Sequence, residues 1–221
     1  MRILLANQVP FQGSDSGRQT DALAQSLLAA GHEVRCLIVD SQVRHDDAVP
    51  TRRVVCRQHD STADLPFDFP VFEPSPLSGQ TFARISAEQL AVYRDALRQA
   101  MDAEVESFNP HVIHAQDIWI LGHLALEAGA PYVLSTAGRE FAACRLSLQV
   151  QRYAEEAAEN AGRIIAGDEV LRRGVEQLFG ELDGRVVTAP TGAAAGLADI
   201  QWLGNLYREV VTERFGAVPE G

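Results

Sequence analysis

The chain has 221 residues, with 19 basic side chains (all arginine), 30 acidic ones and a formal net charge of −11. That balance excludes a general nucleic-acid or anionic-membrane binder, which needs a basic surface, and no apolar run approaches the ~18–20 residues of an integral membrane segment. The cysteines Cys36, Cys56 and Cys144 are far apart and odd in number, which predicts reduced thiols in a cytoplasmic protein and neither a disulfide frame nor a metal site.

Taken in chain order, short apolar runs alternate with longer amphipathic ones. Arg2–Asn7 predicts a buried strand. Gly17–Gly31 predicts a helix with Leu23, Leu27, Leu28 and Ala30 on one side. Glu33–Asp40 and Thr51–Arg57 predict a second and a third strand. Residues 58–83 carry Pro66, Pro70, Pro74 and Pro76 among Phe67, Phe69, Phe72 and Phe82. A structureless stretch of that length is expected to be functional or disordered. Ser86 then caps a helix to Phe108, ended by Asn109-Pro110. His111–Gln116 reads as a fourth strand, Ile118–Gly129 as a short helix and Pro131–Thr136 as a fifth strand. Residues 139–160 read as one helix, Arg163–Ala166 as a sixth strand and Glu169–Phe179 as a helix. Arg185–Ala189 reads as a seventh strand, and residues 191–196 as small-residue linker. Leu197–Arg214 is a last amphipathic helix.

This alternation predicts an α/β fold: a Rossmann-like three-layer αβα sandwich on a mostly parallel sheet of six or seven strands. Ligands in such sheets sit at the carboxyl ends of the strands. The first of those loops holds Gly13, Ser14, Asp15, Ser16 and Gly17 and runs into a helix. It reads either as an anion site built on free N–H groups or as a flexible connection with Ser16 as N-cap. It matches neither a Walker A loop nor GxGxxG. After the fourth strand, Gln116 and Asp117 reach the same edge. Asp117 is a ligand group or a helix cap, and Trp119 packs under the helix or offers an apolar platform. His114 shares a face with Val112 and Gln116 and reads as a satisfied core histidine or a ligand. After the fifth strand, Ser135 and Thr136 are hydrogen-bonding candidates and Gly138 allows close backbone approach. Arg139 and Glu140 are ligand contacts or a solvated first turn. Gly167 and Asp168 close the set, Asp168 as an N-cap with Gly167 leaving room for a ligand.

Three ordered runs carry a resemblance. Met1–Asp40 joins a strand, a Pro-x-x-Gly loop, a helix ending Leu28-Ala29-Ala30-Gly31-His32-Glu33-Val34 and a second strand. Phe108–Gln116 leads to Gly129-Ala130-Pro131-Tyr132-Val133-Leu134-Ser135. Ala161–Gly192 ends Val187-Thr188-Ala189-Pro190-Thr191-Gly192. Together they resemble the acceptor-side half of family-4 glycosyltransferases of the GT-B fold. The resemblance implies a domain at 1–192, a linker at 193–196 and, at 197–221, the family's terminal helix packing back on the same domain. The donor-binding domain is missing from it. The resemblance further implies an acceptor-binding half of an enzyme that moves a sugar from a nucleotide sugar to the hydroxyl of a small-molecule or glycan acceptor, inactive alone. No cofactor is expected to be tightly bound; the nucleotide sugar enters as donor only if a donor domain is supplied. Two alternatives stay open: a binding or regulatory module paired with a separate donor-domain subunit, and a stand-alone nucleotide- or phosphate-binding domain. Where the family has a histidine before Gly138 this chain has Ala137. No catalytic residue can be assigned. The face that a donor domain would meet is expected to be covered by the aromatic 58–83 loop or to drive homodimerisation.

Overall fold

The computed structural model describes residues 1–44, 47–60, 62–190 and 200–216. The strands are β1 (Arg2–Asn7), β2 (Glu33–Asp40), β3 (Thr51–Val55), β4 (Val112–Ala115), β5 (Tyr132–Thr136), β6 (Arg163–Ala166) and β7 (Val186–Thr188). The helices are α1 (Asp15–Ala29), α2 (Ala87–Phe108), α3 (Leu121–Glu127), α4 (Glu140–Leu146), α5 (Leu148–Asn160), α6 (Glu169–Phe179) and α7 (Ile200–Phe215). The strands form one sheet in the order β3-β2-β1-β4-β5-β6-β7. Every pairing is parallel, for example Ile3 opposite Val34 on one side and Val112 on the other. Parallel strands covered on both faces must be apolar on both, which is why β1 and β2 read as near-continuous hydrophobic runs.

The strand order also explains the layers. Crossovers between parallel strands are right-handed. The chain steps one way from β1 to β3 and the other way from β4 onward. The helix α1 therefore lies on one face, packing Leu23, Ala24 and Leu27 against Ile3, Leu5 and Ile38. The core of the opposite face joins Leu97 and Met101 of α2, Leu121 and Leu124 of α3, Ala154 and Ala158 of α5 and Val175 of α6 to Leu4, Ile113 and Leu134. No crossover helix remains for the α1 side of β4, β5 and β6. The helix α7 fills that place with Leu203, Leu206, Tyr207, Val210 and Val211 over Val112, Val133 and Ile165. Gly162, just before β6, admits this approach, since a Cβ there would overlap the Val210 side chain.

Some boundaries differ from the sequence-based expectation. The helix α1 starts at Asp15 and is capped by Ser14, whose hydroxyl accepts the Gly17 N–H at 2.9 Å; Ser16 is not the cap. The expected single helix at 139–160 is two, broken at Ser147, which is extended and caps α5. The short helix α3 begins at Leu121, three residues later than expected. The 58–83 segment is folded onto the body. Val71 and Thr81 form an isolated bridge, as do Cys56 and Leu65. The Ser78 hydroxyl donates to the Phe69 carbonyl at 2.5 Å. Phe69 is buried, and Phe67, Phe72 and Phe82 pack against the core. These rings pack against the body of the domain. The linker at 191–196 lies outside the described residues. Among the described residues no helix is long and apolar enough to cross a membrane.

Candidate functional site

The carboxyl ends of β1, β4 and β5 converge on a cavity of about 240 Å³. One wall is apolar, formed by Val71, Phe72, Leu77 and the prolines between Pro70 and Pro76. The other is polar, formed by Asn7, Gln8, Ser14, Ser16, Gln116, Asp117 and Glu140. The first loop and the 70–77 segment meet where Gly13, at φ +90°, lies against Leu77 with no room for a Cβ. Asn7 anchors the start of that loop to α1, donating to Ser16 Oγ at 3.0 Å and Thr20 Oγ1 at 2.7 Å.

The floor of the cavity is a pair of buried acids. Asp117 is 3% exposed and Glu140 is 2% exposed. Asp117 accepts from Gln8 Nε2 at 2.9 Å and from the Leu121 N–H at 3.1 Å. Glu140 accepts from the Thr136 hydroxyl at 2.6 Å and the Ile118 N–H at 3.5 Å. Thr136 Oγ1 in turn accepts the Gly138 N–H at 2.9 Å. Burial is the main force on both carboxyls and pushes both above the usual carboxylate range; for Asp117 the nearby Glu140 charge adds to it. The native state therefore keeps protons that the unfolded chain releases. From about pH 4 upward the unfolded state binds fewer protons, so this pair makes stability fall as pH rises. Glu140→Gln is expected to gain stability relative to the parent as pH rises from about 4, read from urea midpoints at a series of pH values. A stability difference that stays constant with pH would refute the assignment.

A second cavity, of about 340 Å³, opens on the α1–α7 side of the same edge. It is lined by Ser135, Thr136, Gly167, Asp168 and Leu203, and it shares Ser16, Gln116, Ala137 and Arg139 with the first. Beneath it, His114 Nδ1 and the Tyr207 hydroxyl are 2.6 Å apart, and His114 Nε2 and Ser135 Oγ are 2.5 Å apart. Burial alone lowers the His114 pKa to about 3. The ring is neutral at physiological pH, so one nitrogen donates and the other accepts. His114 is thus a satisfied core histidine that ties α7 to the end of β5.

The structure brings Ser14, Ser16, Gln116, Asp117, Arg139 and Glu140 together around the first cavity and Ser135, Thr136, Gly167 and Asp168 around the second. Asp168 is also the N-cap of α6, accepting the Leu171 N–H at 2.8 Å. Five candidates stand elsewhere, the first of them Gly13, which is packed against Leu77. Trp119 is 2% exposed in the core, edge-on to Phe82 with ring centroids 5.1 Å apart; it supports the cavity wall from behind and is no ligand platform. Asp15 is exposed and pairs with Arg18. Gly17 is buried against the Pro10 carbonyl. Gly138, at φ +78°, supplies the turn that places the Thr136–Glu140 contact. Glu140 is a buried hydrogen-bond acceptor, not part of a solvated first turn. Sequence reasoning singled out neither Gln8 nor Phe72, Leu77 and Tyr207. A glutamine directly after a buried strand is the available signal for Gln8, and the aromatic, proline-rich 58–83 stretch is the one for Phe72 and Leu77; nothing local marks Tyr207. Among the described residues no group of three or more His, Cys, Asp or Glu side chains is arranged to hold a metal ion.

The 3-2-1-4-5-6-7 parallel sheet, covered on both faces and open at its carboxyl edge, defines a Rossmann-like α/β domain of the kind that forms one half of a GT-B fold. Residues 16–192 match the family model of the glycosyl transferase 4-like domain, and the chain belongs to that family. Sucrose-phosphate synthase from Thermosynechococcus elongatus has a similar fold. One structure of it is 17% identical over 95% of this chain and 98% of that chain, with a TM-score of 0.55. Another is 13% identical over 86% of this chain and 48% of that chain, at 0.58. UDP-GlcNAc 2-epimerase from Methanocaldococcus jannaschii is 7% identical over 97% of this chain and 50% of that chain, at 0.52. The chain thus spans about half the length of the last two. No curated protein matches the sequence.

Proposed function

We propose that this domain is the acceptor-binding half of an enzyme that moves a sugar from a nucleotide sugar to an acceptor hydroxyl. The observation that carries the reading is the first cavity: one apolar wall faces a wall of amides, hydroxyls and carboxyls, at the sheet edge where ligands of such folds bind. A small-molecule or glycan acceptor occupies it, and the nucleotide sugar approaches from the open side. Sugar transfer needs two further things, a path for the proton leaving the acceptor hydroxyl and positive charge or amide dipoles on the departing diphosphate. Ala137 on the rim between the cavities handles no proton. Among the described residues, Arg139 is the one cation lining either cavity. A donor domain supplies what is missing, so the chain is inactive alone.

The test is a donor-hydrolysis and transfer assay on this chain with a panel of nucleotide sugars, next to saccharide binding by ligand-observed NMR. Saccharide binding without turnover is expected, with Gln116→Ala weakening it about tenfold, the order expected for loss of one good hydrogen bond. Turnover by the chain alone overturns the half-enzyme reading. Nucleotide binding with no saccharide binding favours the nucleotide-binding alternative.

A further inference from the structure

The titratable groups lining the first cavity are mostly acidic. Asp117 and Glu140 form its buried floor, Glu73 stands exposed among its lining residues, and the one cation lining it among the described residues, Arg139, is exposed at the rim. The donors near the floor are mostly spent: Gln8 Nε2 is held by Asp117, and the Thr136 hydroxyl by Glu140. One donor is free. The side-chain nitrogen of Gln116 is buried and has no hydrogen-bond partner. The polar wall therefore offers carboxyl oxygens that accept from a hydroxyl and an amide that donates to one. The Phe72 side offers a surface for a C–H face. Once these carboxyls ionise, a phosphate or carboxylate placed here meets like charges in a poorly solvated site, where repulsion is strong.

We propose that the first cavity selects a neutral polyhydroxylated ring over its phosphorylated or carboxylated counterpart, with Asp117 and Glu140 accepting ligand hydroxyls and Gln116 donating to a ligand oxygen. This rests on the acceptor reading and narrows it to a chemical class. Burial holds both carboxyls above the usual carboxylate range, and an approaching anion disfavours their ionisation further. Discrimination is therefore sharpest at alkaline pH.

The experiment is a ligand-observed NMR titration of the full chain at alkaline pH with three probes: methyl α-glucoside, glucose 6-phosphate and glucuronate. The neutral probe is expected to bind at least about tenfold more tightly than either anion, and Glu140→Gln is expected to narrow that gap at least about threefold by removing a like charge. Asp117→Asn serves the same purpose if the first variant fails to fold, as judged by circular dichroism. An anion that binds as tightly as the glucoside overturns the proposal and leaves the acceptor reading standing. A gap unchanged in the folded variants does the same. Absence of binding by all three probes overturns both.

Discussion

Tyr207→Ala is expected to destabilise the domain by about 4 kcal/mol, the usual cost of truncating a large buried aromatic. For a chain of this size that is a drop of about 8–16 °C in thermal midpoint. The ring is fully buried in the middle of α7 and packs edge-on against His114, with centroids 5.7 Å apart. Its hydroxyl lies 2.6 Å from His114 Nδ1, and both groups are buried. Truncation leaves both a void and an unpaired imidazole nitrogen. Tyr207→Phe separates the two effects. It keeps the ring and is expected to cost about 1–3 kcal/mol, the penalty of stranding a buried polar group. The neighbouring links are weaker: Arg163 pairs with Glu213 at 2.6 Å, but the glutamate side chain is largely exposed and such pairs contribute little. Calorimetry or urea unfolding of both variants is the measurement. A loss under about 1 kcal/mol for Tyr207→Ala would mean that α7 is not part of the cooperative unit.

That dependence on α7 follows from strand order, and strand order is where the sequence could be read well. Arg2–Asn7 and Glu33–Asp40 are apolar runs with few alternatives, and helical periods between strands demand parallel crossovers. The edge at which ligands gather is set by the same pattern, so the ends of β1, β4 and β5 are legible in the sequence alone. Which side chains face the cavity is harder to foresee. Trp119 and Phe72 are both aromatics in irregular segments, yet one is buried behind the wall and the other lines it. The difference is set by contacts distant in sequence, such as the Val71–Thr81 bridge. Glu140 reads as an ordinary first-turn acid. Only the tertiary fold, by closing Thr136 and Ile118 over it, turns it into a buried group with a raised pKa. The break between α4 and α5 is likewise hidden, since Ser147 is tolerated in a helix and its capping role needs the extended conformation that the fold imposes.

Gly17→Ala is expected to destabilise the domain by about 3 kcal/mol, against the sign that helix propensity predicts. In an exposed first turn, alanine in place of glycine stabilises by about 0.5–1 kcal/mol. Here the position of the missing Cβ is taken by the Pro10 carbonyl oxygen, with the Ser14 hydroxyl close behind. The obstacle is backbone, which yields only if the first loop and the start of α1 move apart, and overpacking of this kind costs about 1–3 kcal/mol or more. The same displacement would shift Ser14 and Ser16, which line the first cavity. Saccharide binding should therefore weaken together with stability. Gly167→Ala is the matched control at the same edge: the nearest side-chain atom, Leu171 Cδ1, would sit 3.6 Å from the new methyl, an ordinary contact. Its effect should stay within about 0.5 kcal/mol. Urea unfolding and NMR titration of the two variants distinguish a glycine kept for packing from one kept to cradle a ligand. If Gly17→Ala keeps full stability but loses binding, Gly17 contacts the ligand directly. If it loses stability and Gly167→Ala does not, the first loop owes its shape to the close approach of α1 to Pro10.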